Sequence, residues 1–138
     1  MSNSTTPKRP MRPDPIPRID SNFFWEAAKR GELVVQKCEP CNKLWHPPRG
    51  MCPDCHSTEK SEAKMSGTGT VLSWCRQIRP ASFLFAESPW VILVELDEGV
   101  RLISNLEGDQ APEFGMRVTV DFAETSGGKA VPVFRAEA

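Results

Sequence analysis

The second half of the chain carries the clearer pattern. From Gly67 on, short runs of apolar and β-branched residues are separated by turn residues, and in one of them Val118, Val120 and Phe122 alternate strictly with Arg117, Thr119 and Asp121. A period of two places alternate side chains on opposite faces of a strand. Five strands are predicted: 70–78, 90–96, 100–106, 117–122 and 130–134, with Asp97-Glu98-Gly99 as the hairpin turn between the second and third. Five short strands with no room for crossover helices fit a small closed barrel of the OB type. Pro132, which has no backbone N–H to give to a ladder, predicts that the last strand lies at an edge or an opening.

The first half is patterned differently. Asp20-Ser21-Asn22 supplies N-cap candidates, and 23–30 reads as a short helix closed by Gly31, with Lys29 and Arg30 in the last turn, where the helix dipole favours them. Successive helical residues lie about 100° apart, so Phe23, Phe24 and Trp25 cannot all face one core. Either two pack inward and the third is half-exposed, or part of the cluster is a docking surface. Residues 33–37 and 44–46 read as strands, Pro47-Pro48-Arg49-Gly50 as a turn, and 57–64 as a polar linker or exposed strand. The predicted division is a Pro-rich disordered arm over 1–18, a helix and ribbon over 19–64, and the barrel over 65–138. The fold is mainly β.

Between the ribbon strands stand Cys38-x-x-Cys41 and Cys52-x-x-Cys55, ten residues apart. Each tight turn can aim two sulfurs at one point, and two turns complete the tetrahedron that Zn²⁺ accepts. The position after the second cysteine of such a knuckle needs a left-handed backbone. Here it is Asn42 and His56, two of the residue types enriched in that region. One zinc held by Cys38, Cys41, Cys52 and Cys55 is expected, although four thiolates also suit a single iron. With four sulfurs on the metal no coordination position is left for water, so its role is structural. His46 and His56 read as turn or surface histidines rather than ligands.

Charge changes the picture once. Of a net −1, the first eighteen residues carry +3, which leaves −4 on the other 120. An acidic folded region weighs against a nucleic-acid surface. No long apolar run or signal-peptide core is present, so a cytoplasmic protein with no membrane span is expected, in a compartment where paired cysteines bind metal.

Catalytic chemistry is hard to assemble from these residues. Acyl transfer and aldol cleavage need a nucleophile or base held by an orienting group, and both histidines lie in the ribbon. Cys75 shares strand parity with Val71 and Ser73 and reads as a small buried thiol. Gly67-x-Gly69 precedes a strand and opens no helix, a weak phosphate signal. The connection 79–89 carries Phe83, Leu84 and Phe85 in a row, which either cover the barrel mouth or meet a partner. Arg76 and Arg79 just before it are candidates for a CoA phosphate.

The order aromatic helix, Cys-x-x-Cys, Pro-Pro-Arg, Cys-Pro-x-Cys, Gly-x-Gly-Thr-Val, Val-Glu-Leu-Asp-Glu-Gly-Val-Arg-Leu-Ile-Ser-Asn-Leu and Gly-Met-Arg-Val resembles a family of acyl-CoA-associated OB-fold proteins with a rubredoxin-like zinc ribbon. The resemblance spans about Phe23 to Arg135. It implies an accessory subunit beside a thiolase-superfamily enzyme, an acyltransferase or a retro-aldolase of steroid side-chain degradation, sometimes with a MaoC-type hydratase. It also implies acyl-CoA as a ligand that some members hold or shuttle. On this reading Phe23, Phe24, Trp25, Phe83, Leu84 and Phe85 are docking candidates, toward that enzyme or a second copy of the chain. Two rival readings are a nucleic-acid-binding ribbon and OB module and a rubredoxin-like electron carrier.

Overall fold

The computed structural model describes residues 12–79 and 88–137. Helix α1 (Asn22–Lys29) buries Phe24, Ala27 and Ala28, a stripe at helical spacing. It ends where Gly31 turns to φ +75°. There the Gly31 N–H donates to Ala28 O at 3.0 Å and the Glu32 N–H to Ala27 O at 3.0 Å, the paired bonds of a Schellman stop. Ser21 stands at the N-cap without capping. Its hydroxyl instead accepts from the Arg18 N–H at 3.0 Å.

β1 (Val34–Cys38) lies between β2 (Leu44–Trp45) and β3 (Lys60–Lys64), both antiparallel to it. The polar stretch 57–64 thus ends in a strand. The barrel follows: β4 (Thr68–Arg76), β5 (Trp90–Leu96), β6 (Arg101–Glu107), β7 (Arg117–Glu124) and β8 (Ala130–Ala136), in the order β4-β5-β6-β8-β7 and closed by pairing of β4 with β7. This is the five-stranded barrel that the strand pattern predicts. Gly69 sits where β4 crosses the end of β5, and a Cβ there would fall 2.6 Å from Glu95 O. The Gly67-x-Gly69 pair therefore answers to packing in the barrel wall.

Barrel and ribbon share one core. Val71, Ile92, Val94, Val118 and Phe134 fill the barrel, and Phe24, Leu33, Val35 and Met65 continue the same cluster under the helix and ribbon. β8 pairs with β7 throughout but with β6 only at Leu106↔Phe134 and Glu107↔Arg135. Pro132 lies beyond that short ladder, where the Ser104 hydroxyl donates to its carbonyl at 3.0 Å.

Three expectations need correction. The arm drawn as disordered through residue 18 is fastened from Arg12 onward. The Arg12 guanidinium donates to Asn105 Oδ1 at 2.9 Å and Glu107 Oε1 at 2.8 Å. The Asp14 carboxylate accepts from the Thr125 hydroxyl and the Gly127 N–H, and the Ser126 N–H donates to Arg12 O. Proline-rich composition signals an extended chain, and here that extended chain crosses from β6 to the β7–β8 turn. Cys75 is exposed rather than buried. A bulge between Val71 and Ser73 shifts the register by one residue, which turns Trp74 toward the core and Cys75 away from it. Phe114 is 78 % exposed and leans on Trp74 with ring centroids 4.4 Å apart. Phe24, expected among docking residues, is only 7 % exposed and belongs to the core, since it shares the buried stripe with Ala27 and Ala28.

Candidate functional site

The two cysteine turns are built alike. Cys38 N–H donates to Lys43 O and Asn42 N–H to Cys38 O, at 2.8 and 2.9 Å. Cys52 N–H donates to Ser57 O and His56 N–H to Cys52 O, at 2.9 and 3.1 Å. Asn42 and His56 hold φ of 61° and 64°, the left-handed backbone that each turn requires. The four Sγ atoms lie within 4.8 Å of one another. Two of the separations are 3.4 Å (Cys38 to Cys55) and 3.6 Å (Cys41 to Cys52). A zinc–sulfur bond of about 2.3 Å in a tetrahedron sets the edge at about 3.8 Å, so the sulfurs fit a zinc after small outward shifts. Cys38 and Cys52 are buried, and Cys41 and Cys55 are exposed.

Burial pushes the Cys38 thiol up to about 12, against the Cys41 N–H, which favours the thiolate. At Cys52 burial acts the same way, but the N–H groups of Cys55 and Asp54, together with the side chains of Cys41 and Cys38, outweigh it and bring the thiol down to about 7. A divalent cation removes this difference by drawing all four to the thiolate form. Trp45 packs against Cys38 and Cys52 in a cluster of its own, a neighbour that the cysteine spacing did not reveal.

The other candidates do not converge on the metal. Arg76 donates from Nε to Ser88 O at 2.7 Å, and its guanidinium lies 4.7 Å from the centre of the Trp90 ring, bracing the ends of β4 and β5. Arg79 is exposed three residues on. Phe23 and Trp25 are half-buried against the core. Phe83, Leu84 and Phe85 lie outside the described residues. A cleft of about 330 Å³ opens where helix, ribbon and barrel meet, lined by Trp25, His46, Pro47, Ile103 and Pro132 among others. His46, read as a turn or surface residue, is half-buried there with its ring 5.1 Å from that of Phe24, and burial holds its pKa below the ordinary 6.5. Among the described residues, no helix is long and apolar enough to cross a membrane.

Residues 25–61 match the family model described as "ChsH2, rubredoxin-like zinc ribbon domain", and residues 62–123 match "ChsH2, C-terminal OB-fold domain". The chain belongs to the ChsH2 family. Its resemblance to acyl-CoA-associated zinc-ribbon and OB-fold proteins is thereby upheld. A solved structure described as "Ltp2-ChsH2(DUF35) aldolase" superposes with a TM-score of 0.82 at 39 % identity, covering 89 % of this chain and 98 % of that one. The "Probable enoyl-CoA hydratase alpha subunit" of Thermomonospora curvata is 43 % identical over 129 residues, 91 % of this chain. The "3-oxo-4,17-pregnadiene-20-carboxyl-CoA hydratase alpha subunit" of Mycobacterium tuberculosis is 37 % identical over 90 residues, 64 % of this chain. The chain spans 40 % and 28 % of the length of these two curated relatives.

Proposed function

We propose that this protein is an accessory subunit of an acyl-CoA-processing complex, one that docks on a thiolase-superfamily retro-aldolase or acyltransferase and helps hold or pass the thioester. The likeness along nearly all of its fold to the ChsH2 chain of an aldolase is the observation that carries the reading. The relatives named as hydratase alpha subunits favour a steroid side-chain or related acyl-CoA pathway, and the reading includes a MaoC-type hydratase as a further partner and a second copy of the chain as a further occupant of the complex. On this reading the protein works in the cytoplasm, where its thiols stay reduced.

The chain's own chemistry is consistent with a supporting role. When bound, zinc on four sulfurs cross-links the two turns and offers no place for substrate. Arg76, which ends β4 beside the Trp90 ring, and Arg79, three residues on, are in this reading the side chains that meet a CoA phosphate. Phe23, Trp25 and the 83–85 run are the docking residues in this reading, and Phe24 supports the helix from beneath. Among the described residues, His46 and His56 are the histidines of the ribbon, and Cys75 lies on the barrel. On this reading the catalytic nucleophile and base belong to the partner enzyme. The purified chain should show little or no turnover of acyl-CoA thioesters, and adding the partner enzyme should produce it. Robust thioester cleavage or condensation by the chain alone would overturn the assignment.

A further inference from the structure

One buried atom beside the metal centre has no partner in the protein. Trp45 is 6 % exposed and forms a buried cluster with Cys38 and Cys52, apart from the main core. Its Nε1 is enclosed and donates no hydrogen bond to any described residue. An indole nitrogen can only donate. Enclosed donors in folded proteins nearly always find an acceptor, so this one calls for an acceptor that the metal-free thiols do not supply.

The cluster itself contains the candidates. Across the ribbon Trp45 faces the buried Gln36, whose Oε1 is already taken by the Arg49 N–H at 2.7 Å, and within the cluster the polar atoms on offer are the sulfurs of Cys38 and Cys52. In the thiol form these sulfurs are engaged with others, Cys38 with Cys55 at 3.4 Å and Cys52 with Cys41 at 3.6 Å. Metal binding removes the thiol protons and leaves each sulfur an anion with lone pairs to spare. Charge-assisted acceptors of this kind attract a nearby donor more strongly than a neutral thiol does.

We infer that the Trp45 indole N–H is an outer donor of the metal centre, hydrogen-bonded to the thiolate of Cys38 or Cys52 once the metal is bound. The bond draws off part of the negative charge of the tetrathiolate and fixes the orientation of a buried ligand. Trp45 is then a positioning residue for the centre, and its place on β2, paired with Gln36 of β1, ties the first knuckle's hairpin to the metal. The inference concerns the metal alone and does not depend on the partner or pathway proposed above.

The test uses the whole chain loaded with cadmium enriched in its spin-active isotope. A coupling between cadmium and the Trp45 indole proton, transmitted through the sulfur, is expected. The other three of the four tryptophans should show none. A Trp45 indole proton that lacks the coupling and exchanges with water as freely as an exposed indole would overturn the inference. In parallel, Trp45→Phe keeps a ring and removes the N–H, and chelator competition should show zinc held roughly tenfold more weakly, at the low end for loss of an outer-shell partner. Unchanged zinc affinity would refute the claim that the bond helps retain the metal. Should Trp45→Phe fail to fold, the coupling measured on the native protein decides alone.

Discussion

Replacing Phe24 with Ala should destabilise the whole protein rather than a surface. Phe24 is 7 % exposed, with its ring edge-on to Trp25 at 4.9 Å and tilted against His46 at 5.1 Å. It lies in the same cluster as Leu33, Val35 and Met65, so it joins helix, ribbon and barrel. Truncating a buried Phe to Ala commonly costs about 3–5 kcal/mol from lost burial and the cavity left behind. Taking about 4 kcal/mol, and a urea slope of about 2 kcal/mol/M for a small protein, the midpoint should fall by about 2 M. The assay is urea unfolding followed by circular dichroism, with zinc saturating in both proteins. A fall of less than about 0.5 M with zinc retained would refute the core assignment. Loss of complex assembly in that same stable variant would return Phe24 to the docking surface.

Three further outcomes follow from particular contacts. In zinc-loaded native protein a maleimide should label one thiol quickly, Cys75, and Cys75→Ser should abolish that labelling, because the other four sulfurs are committed to metal; labelling that persists in Cys75→Ser would place a reactive thiol in the ribbon. His46 has its folded pKa held below 6.5 by burial, so as pH falls below 6.5 the unfolded chain takes a proton that the folded chain resists, and stability drops. At equal bound zinc, the urea midpoint should fall between about pH 7 and 5.5 in the native protein and fall less in His46→Gln. Asp14→Asn should speed hydrogen exchange at the Ser126 and Gly127 amides, which donate to Arg12 O and Asp14 Oδ1, while barrel amides keep their protection.

Much of this architecture was legible because it rests on local rules. The Cys-x-x-Cys turns with Asn42 and His56 carried their backbone conformation in residue type, and Gly31 and Gly99 announced their turns through the positive φ that each adopts. What escaped the pattern was set at a distance. Cys75 was misplaced because a bulge at the previous turn of the pleat reverses inside and outside, and nothing in the run Val71 to Arg76 marks it. On the other edge of β4 the Val71 N–H donates to Met116 O and its carbonyl accepts from the Gly115 N–H, contacts with the β6–β7 connection that lie more than forty residues away in the chain. The fastening of Arg12 and Asp14 was hidden for the same reason, since their partners stand more than ninety residues away. Gly127 gives the physical requirement there, because any Cβ at that position would strike the Asp14 carboxylate. Trp45 stands on the predicted 44–46 strand, but its proximity to two of the four sulfurs appears only once the knuckles are folded.

The central claim is that this chain acts through a partner enzyme, and isolation of the protein from its native cells tests it most directly. The tagged full-length chain should bring down a thiolase-superfamily enzyme in fixed stoichiometry, and acyl-CoA turnover should appear in that complex and not in the chain alone. Phe23→Ala and Trp25→Ala proteins that retain zinc and a normal circular dichroism spectrum should recover less of the enzyme. A chain that sediments alone from its native cells, or one that brings down nucleic acid in place of an acyl-CoA enzyme, would contradict the account.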